Sequence, residues 1–233
     1  MTALTVAIDG PSGSGKSSVS RAVARRLEVG YVDTGATYRA LTWYCLDRRI
    51  ELTDTDAVAQ AAREFPLHLG TDPSRPVVDV GGTDVTAEIR TTRVSEAVSA
   101  VATNLLVRPV LQQLQRDLMH HVAEDTGGVV AEGRDVTTVV APDATVRILL
   151  TADEEARLRR RSTELHGAAG EEAVEATRDQ VVRRDRDDAT VAQFTVAADG
   201  VLTVDTSDLS LEQSVEAVLT VVERERERPT ADG

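Results

Sequence analysis

Lysine is almost absent from this chain. Of its 26 lysine and arginine residues one is lysine, Lys16, and the other 25 are arginine. Cysteine is as scarce: Cys45 stands alone, so no disulfide forms within the chain and no cysteine cluster is available for a metal. It sits in an apolar, helix-like stretch, where core packing is its expected role. No apolar run approaches the ~18 residues of a membrane span, and Met1-Thr2-Ala3 leads into an apolar strand without a signal-like segment, which makes the cytoplasm the expected location. The four histidines, His68, His120, His121 and His166, lack metal-ligand spacing, and the adjacent pair His120-His121 points to different faces of a helix. Positive charge is in deficit overall. The net charge of −13 argues against a nucleic-acid surface, whose phosphates must be neutralised. Neither a nucleic acid nor a membrane is an expected partner, and a monomer is the expected state.

What the chain does have is concentrated around its one lysine. Gly10-Pro11-Ser12-Gly13-Ser14-Gly15-Lys16-Ser17 matches the phosphate-binding pattern G-x-x-x-x-G-K-[ST]. In such a loop successive backbone N–H groups point at phosphate oxygens and the following helix adds its positive N-terminus. Lys16 is expected to reach the β- and γ-phosphates of ATP, and Ser17 to offer its hydroxyl to Mg²⁺. Context agrees: Leu4-Thr5-Val6-Ala7-Ile8 reads as a strand, and Val19, Ala22, Val23 and Leu27 recur at helical spacing. Residues 10 to 18, including Ser18, are therefore the candidate ATP site.

Five apolar runs read as buried strands: residues 4–8, 30–32, 128–131, 146–150 and 201–204. Helical or loop sequence separates them, which predicts an α/β fold with a parallel sheet flanked by helices. Ligands of open α/β sheets bind beyond the carboxyl ends of the strands. There the chain carries Asp9, Asp33, Glu132, Thr151 and Asp205, so Asp33 and the Glu132-Gly133-Arg134-Asp135 cluster are expected to converge on the loop. Residues 66–90, with Gly81-Gly82 between two short β-rich runs, predict a small antiparallel insert. Residues 154–190, dense in arginine around a Gly/Ala/Glu spacer, read as a mobile lid. The last helix is expected from Ser210, which forms a capping box with Gln213.

The expected organisation is one domain over 1–225: a core of 1–40, 100–153 and 195–225, an insert region of about 41–99, a lid of about 154–192, and a flexible tail at 226–233. A GTPase of the usual kind needs an Asn-Lys-x-Asp motif, and no second lysine exists to supply it. A motor or transport ATPase needs coupling machinery for which the chain is too small. A small-molecule kinase is left.

Asp33-Thr34-Gly35-Ala36-Thr37-Tyr38-Arg39, Glu88-Ile89-Arg90, and Glu132-Gly133-Arg134-Asp135 followed by Thr138-Val139-Val140 and Pro142-Asp143-Ala144 resemble the bacterial cytidylate kinase family. The Ile8-Asp9-Gly10-Pro11-Ser12-Gly13 opening is similar to that family's phosphate loop, and the likeness runs from about residue 4 to about residue 222. It implies a P-loop NTPase fold in which the insert binds a nucleoside monophosphate and the arginine-rich lid closes over it. The implied substrates are ATP with CMP or dCMP. The resemblance places Asp33, Thr34 and Arg39 at the acceptor nucleotide, Arg39 on its phosphate. It places Ser99, Arg108 and Asp135 around the cytosine, Arg134 near the phosphates, Arg184 and Asp188 at the acceptor nucleoside, and Arg157 and Arg161 over the transferring group. Lys16, Arg157 and Arg161 are the implied catalytic residues.

One stretch departs from the family. The pattern Arg-Asp-x-x-Asp-Ser-x-Arg followed by Pro-Leu stands here as Arg184-Asp185-Arg186-Asp187-Asp188-Ala189-Thr190-Val191, without the later Pro-Leu. Either Arg183 or Arg186 replaces the last arginine, or acceptor binding is weaker. Plainer roles also exist. Arg39 and Arg108 suit a helix surface, Asp135 suits a helix cap, Arg157 to Arg161 suit a solvated face, and Trp43, Tyr44 and Leu46 suit a core. A kinase for another acceptor and a non-catalytic nucleotide-binding module remain as alternative functions.

Overall fold

The computed structural model describes residues 3–166 and 171–227. Met1, Thr2, part of the expected spacer and residues 228–233 of the expected tail lie outside the described residues. β1 (Leu4–Asp9) passes through the glycine-rich loop into α1 (Lys16–Leu27), and β2 (Gly30–Asp33) continues directly into α2 (Thr34–Asp47). α3 (Thr55–Glu64) leads to three short strands, β3 (Leu67–Leu69), β4 (Val78–Val80) and β5 (Thr83–Asp84). A single 3-10 turn at Glu88–Arg90 precedes α4 (Thr92–Ala102) and α5 (Arg108–Thr126). β6 (Gly128–Gly133), a wide helical turn at Val136–Val140, β7 (Val146–Thr151), α6 (Glu154–His166), α7 (Glu171–Asp188), β8 (Leu202–Asp205) and α8 (Leu211–Glu227) complete the order.

The five predicted strands form one parallel sheet in the order β2-β6-β1-β7-β8. Alternation along β1 explains why both faces are covered. Val6 and Ile8 pack with Val19 and Val23 of α1 and Val215, Val218 and Val222 of α8. Ala7 turns the other way, toward Met119, Val122 and Ala123 of α5. A strand buried on both faces has no polar side to show, hence the unbroken apolar runs. The capping box forms as expected: the Ser210 N–H donates to Gln213 Oε1 (2.9 Å) and the Gln213 N–H to Ser210 Oγ (3.2 Å).

β3, β4 and β5 make the expected antiparallel insert. It does not stand alone, because α2, α3, α4 and the first turn of α5 share a core with it, in which Cys45, Leu41, Val80, Val98 and Leu111 are buried. Trp43 and Tyr44 pack against that core. The boundaries expected at 40/41 and 99/100 therefore fall inside α2 and α4, and the one at 225/226 falls inside the last turn of α8. Register positions the site. Glu132 of β6 lies level with Ile8 of β1 and with Asp33 of β2, so both carboxylates reach the same carboxyl edge beside the loop.

Candidate active site

The loop between β1 and α1 is shaped by Gly13 and Gly15, at φ +77° and +85°, backbone settings that an L side chain resists. A side chain at Gly13 would also run into the backbone of Arg157 on α6. Residues Ser12 to Ser18 line a cavity of about 380 Å³, within the usual size for small-molecule sites. Asp33, Arg39, Glu132, Arg134, Arg161 and Arg184 complete much of its wall. Gly10 and Pro11 serve it from below. The Lys16 ammonium donates to the Pro11 carbonyl (3.3 Å), and the Gly10 carbonyl accepts from Arg134. Burial, with Arg134 as a like-charged neighbour, lowers Lys16 to about 8.

Asp33 has two jobs at the start of α2. One oxygen caps the helix by accepting from the Ala36 N–H (2.9 Å), and the other pairs with Arg39 (2.6 Å) and Arg90 (3.4 Å). Burial alone would raise its carboxyl, but Arg39 and Arg90 hold it below the usual range. Glu132 shifts the opposite way. Burial and the Asp33 charge raise it against the pull of Lys16, Ser17 and Tyr31. Its oxygen accepts from the Tyr31 hydroxyl at 2.9 Å.

A second recess, of about 50 Å³, opens beside the first and shares Gly35, Gly133, Arg134 and Arg184 with it. Thr34, Tyr38, Arg108, Asp135, Asp188 and Val191 line it. Asp135 Oδ2 accepts from Arg108 (2.6 Å) and Gln112 (2.7 Å). Arg108 also donates to the Ala102 carbonyl (3.1 Å), and the Thr34 hydroxyl donates to the Glu132 carbonyl (2.8 Å). Arg134 donates from Nε to Asp188 (3.1 Å) and lies over the Phe194 ring at 4.5 Å. Arg184 stands 3.8 Å from Asp188, and its buried Nε has no hydrogen-bond partner among the described residues. Burial, reinforced by Arg134, lowers it to about 10.

Several expectations shift. Asp135 does not cap the turn that follows it. Asp9 does, accepting from the Val136 N–H (3.0 Å), the Thr137 N–H (2.8 Å) and the Thr137 hydroxyl (2.6 Å). Arg39 and Arg108 are not surface charges, with side chains only 12% and 11% exposed. The recess wall takes Val98 and Ala102 from α4 but not Ser99, which is half-buried beside them. Of the two lid arginines, Arg161 lines the larger cavity and Arg157 does not. Arg183 and Arg186 are both exposed, and Val191 itself meets the recess as an apolar wall.

Sequence reading passed over other residues. Arg90 carries no site role in the sequence reading, and Gln112 follows Arg108 by one helical turn, a spacing that could have flagged it. Arg160 lines the larger cavity while its guanidinium donates to the carbonyls of Thr206 (2.6 Å) and Leu209 (3.3 Å). Leu209, Leu211 and Ser214 close the far side, and no residue-type signal marks them.

A phosphate loop at the carboxyl edge of a five-stranded parallel sheet, with arginines from five further segments facing it, defines a P-loop phosphotransferase. Comparison with known proteins narrows this class. The chain belongs to the cytidylate kinase family, whose sequence profile matches residues 6–224. It is 48% identical over 225 residues to the cytidylate kinase of Streptomyces avermitilis, covering 96% of this chain and 94% of that one. It is 47% identical to that of Nocardia farcinica, covering 95% and 94%. Among solved structures, an uncharacterized protein from Eubacterium ventriosum shares the fold alone, at 9% identity and a TM-score of 0.51 over 94% of this chain and 98% of that one.

Proposed function

We infer that the chain is an ATP-dependent cytidylate kinase that moves the γ-phosphoryl of ATP to the 5′-phosphate of CMP or dCMP. One observation carries this reading: the P-loop cavity and the Asp135–Arg108–Gln112 recess are separate spaces joined through Arg134 and Arg184. Donor and acceptor can then meet with their phosphates between those two guanidiniums. The reaction passes through a loose transition state with charge spread over the equatorial oxygens, so positioning and electrostatics supply the catalysis.

In this reading Lys16 and the amides of residues 13 to 18 hold the donor phosphates. Arg39, Arg90 and Arg184 hold the acceptor phosphate, for which planar guanidiniums are well matched. Arg161, from the α6–α7 lid, faces the transferring group. Asp135 accepts from the exocyclic amine of cytosine, while Thr34 and Asp188 border the nucleoside. The helical lid excludes water, the competing acceptor. A magnesium ion fits the oxygen donors present: the Ser17 hydroxyl and the carboxylates of Glu132 and Asp33 belong to residues of the same cavity wall. Ser17 would hold the ion, with Glu132 and Asp33 around it, and when bound with ATP it would neutralise charge developing on the phosphate oxygens. Such an enzyme acts as a monomer in the cytoplasm, where its nucleotides are found.

The test is ADP release from ATP with CMP, dCMP, UMP, AMP and a shikimate-like alcohol. CMP and dCMP should turn over fastest, and Lys16→Ala should lose at least about a hundredfold in kcat with the fold intact. Faster turnover of AMP or the alcohol would overturn the acceptor assignment, and a fully active Lys16→Ala would overturn the chemistry.

A further inference from the structure

The kinase reading leaves Asp185, in the last turn of α7, without a role. Its carboxylate is 14% exposed and both oxygens are occupied. Oδ1 accepts from the backbone N–H of Ser12 (3.0 Å) and from Nη2 of Arg134 (3.0 Å), and Oδ2 accepts from Nη1 of Arg157 (2.5 Å). The same Arg157 nitrogen donates to the Ser12 carbonyl (3.0 Å). Both polar backbone groups of Ser12 are thus gripped, the N–H by Asp185 and the C=O by Arg157, and the two gripping side chains are paired with each other. One carboxylate joins the phosphate loop, the segment after β6, α6 and α7.

Asp185 does not line the phosphate cavity. Its contacts therefore need not break for a triphosphate to enter. It also offsets charge: Arg134 and Arg184 converge beside Lys16, where Asp185 opposes their mutual repulsion. We propose that Asp185 is a positioning residue for phosphoryl transfer, seating the lid on the phosphate loop and fixing Arg134 while Arg161 and Arg184 face the phosphates. Arg157 belongs to this clasp and acts through it. The proposal rests on the kinase reading only for its rate effect, since the clasp itself is a property of the ligand-free chain.

Two readouts test it on the full-length protein. In steady-state kinetics with ATP and CMP, Asp185→Ala should lower kcat about a hundredfold with both KM values within about threefold, as expected for reacting groups held slightly out of place. Asp185→Asn keeps one acceptor for the Ser12 N–H and should recover about tenfold of that loss, and Asp185→Ala/Arg157→Ala should be no slower than Asp185→Ala alone. In limited trypsinolysis without nucleotide, cleavage after the exposed Arg183 and Arg186 should accelerate at least about tenfold in Asp185→Ala, with the remaining sites unchanged. This readout needs no turnover, so it stands even if CMP proves not to be the substrate. A kcat within twofold of wild type, multiplicative losses in the double variant, or unaltered cleavage at these two sites would each overturn the proposal. If Asp185→Ala does not fold, the isosteric Asp185→Asn decides by the same kinetic and cleavage criteria.

Discussion

One oxygen of Asp135 takes hydrogen bonds from both Arg108 and Gln112, and its Oδ1 has no hydrogen bond among the described residues. That unshared acceptor suits the amine of cytosine and opposes the carbonyl that uracil presents there. Leaving a buried polar group badly paired costs on the order of 1–3 kcal/mol. Asp135→Asn puts an amide where one carboxylate oxygen was, so the ratio of kcat/KM for CMP over UMP should fall about tenfold. An unchanged ratio would locate base choice elsewhere in the recess. Cys45 makes a different residue-scale point. It is fully buried in α2, and burial pushes its thiol up to about 11 from an ordinary 9.0. Between those values the folded chain keeps a proton that the unfolded chain has released. This group's contribution to stability is therefore complete below pH 9.0 and is lost as pH rises toward about 11. At pH 8 a thiol reagent should label the native protein only through unfolding, with a rate that climbs with urea; labelling at the rate of a free thiol would contradict this burial.

At the scale of elements, legibility followed burial. The inner sheet strands were readable because doubly covered strands are continuous apolar runs, whereas β8, at the sheet edge, buries only part of its short apolar run. β3 was not anticipated as a separate strand: Leu67–Leu69 is three residues long, with His68 exposed. The limits expected at 40/41 and 99/100 fall within helices for a physical reason. α2 begins at the sheet edge with Asp33 and Thr34 and ends packed on the insert core, so one helix serves both regions and no composition change marks the passage. In the site, residues whose chemistry lies in the side chain were legible: Lys16, Asp33, Arg39, Arg108, Arg134, Asp135. A residue that acts through its backbone carbonyl, such as Leu209 receiving Arg160, left no trace in residue type. The arginine cluster on α6 illustrates the limit. Sequence shows four arginines in five positions, but only packing separates Arg161, at the cavity, from Arg157, bound to Ser12, and Arg159, paired with Glu155 on the surface.

For the molecule as a whole, a net charge of −13 surrounds a site in which Arg39, Arg90, Arg134, Arg161 and Arg184 stand together. Long-range attraction therefore contributes little to nucleotide capture, and affinity has to come from short-range contacts inside the closed site. Arg134 and Arg184 belong to both cavities, and the lid that carries Arg161 and Arg184 touches both. A ligand in either cavity meets the same two arginines, so the cost of fixing them should fall mostly on the first ligand and little on the second. Thermal unfolding with a non-hydrolysable ATP analogue and CMP should reveal this coupling. Each ligand alone at about 100 times its Kd stabilises by roughly 2.7 kcal/mol, a rise in Tm of about 6–10 °C for a chain of this size by the usual scaling of about 2–4 °C per kcal/mol. At the same concentrations, both together should exceed the sum of the two single shifts. A strictly additive result would mean that the two cavities close independently, and that the walls they share transmit nothing between donor and acceptor.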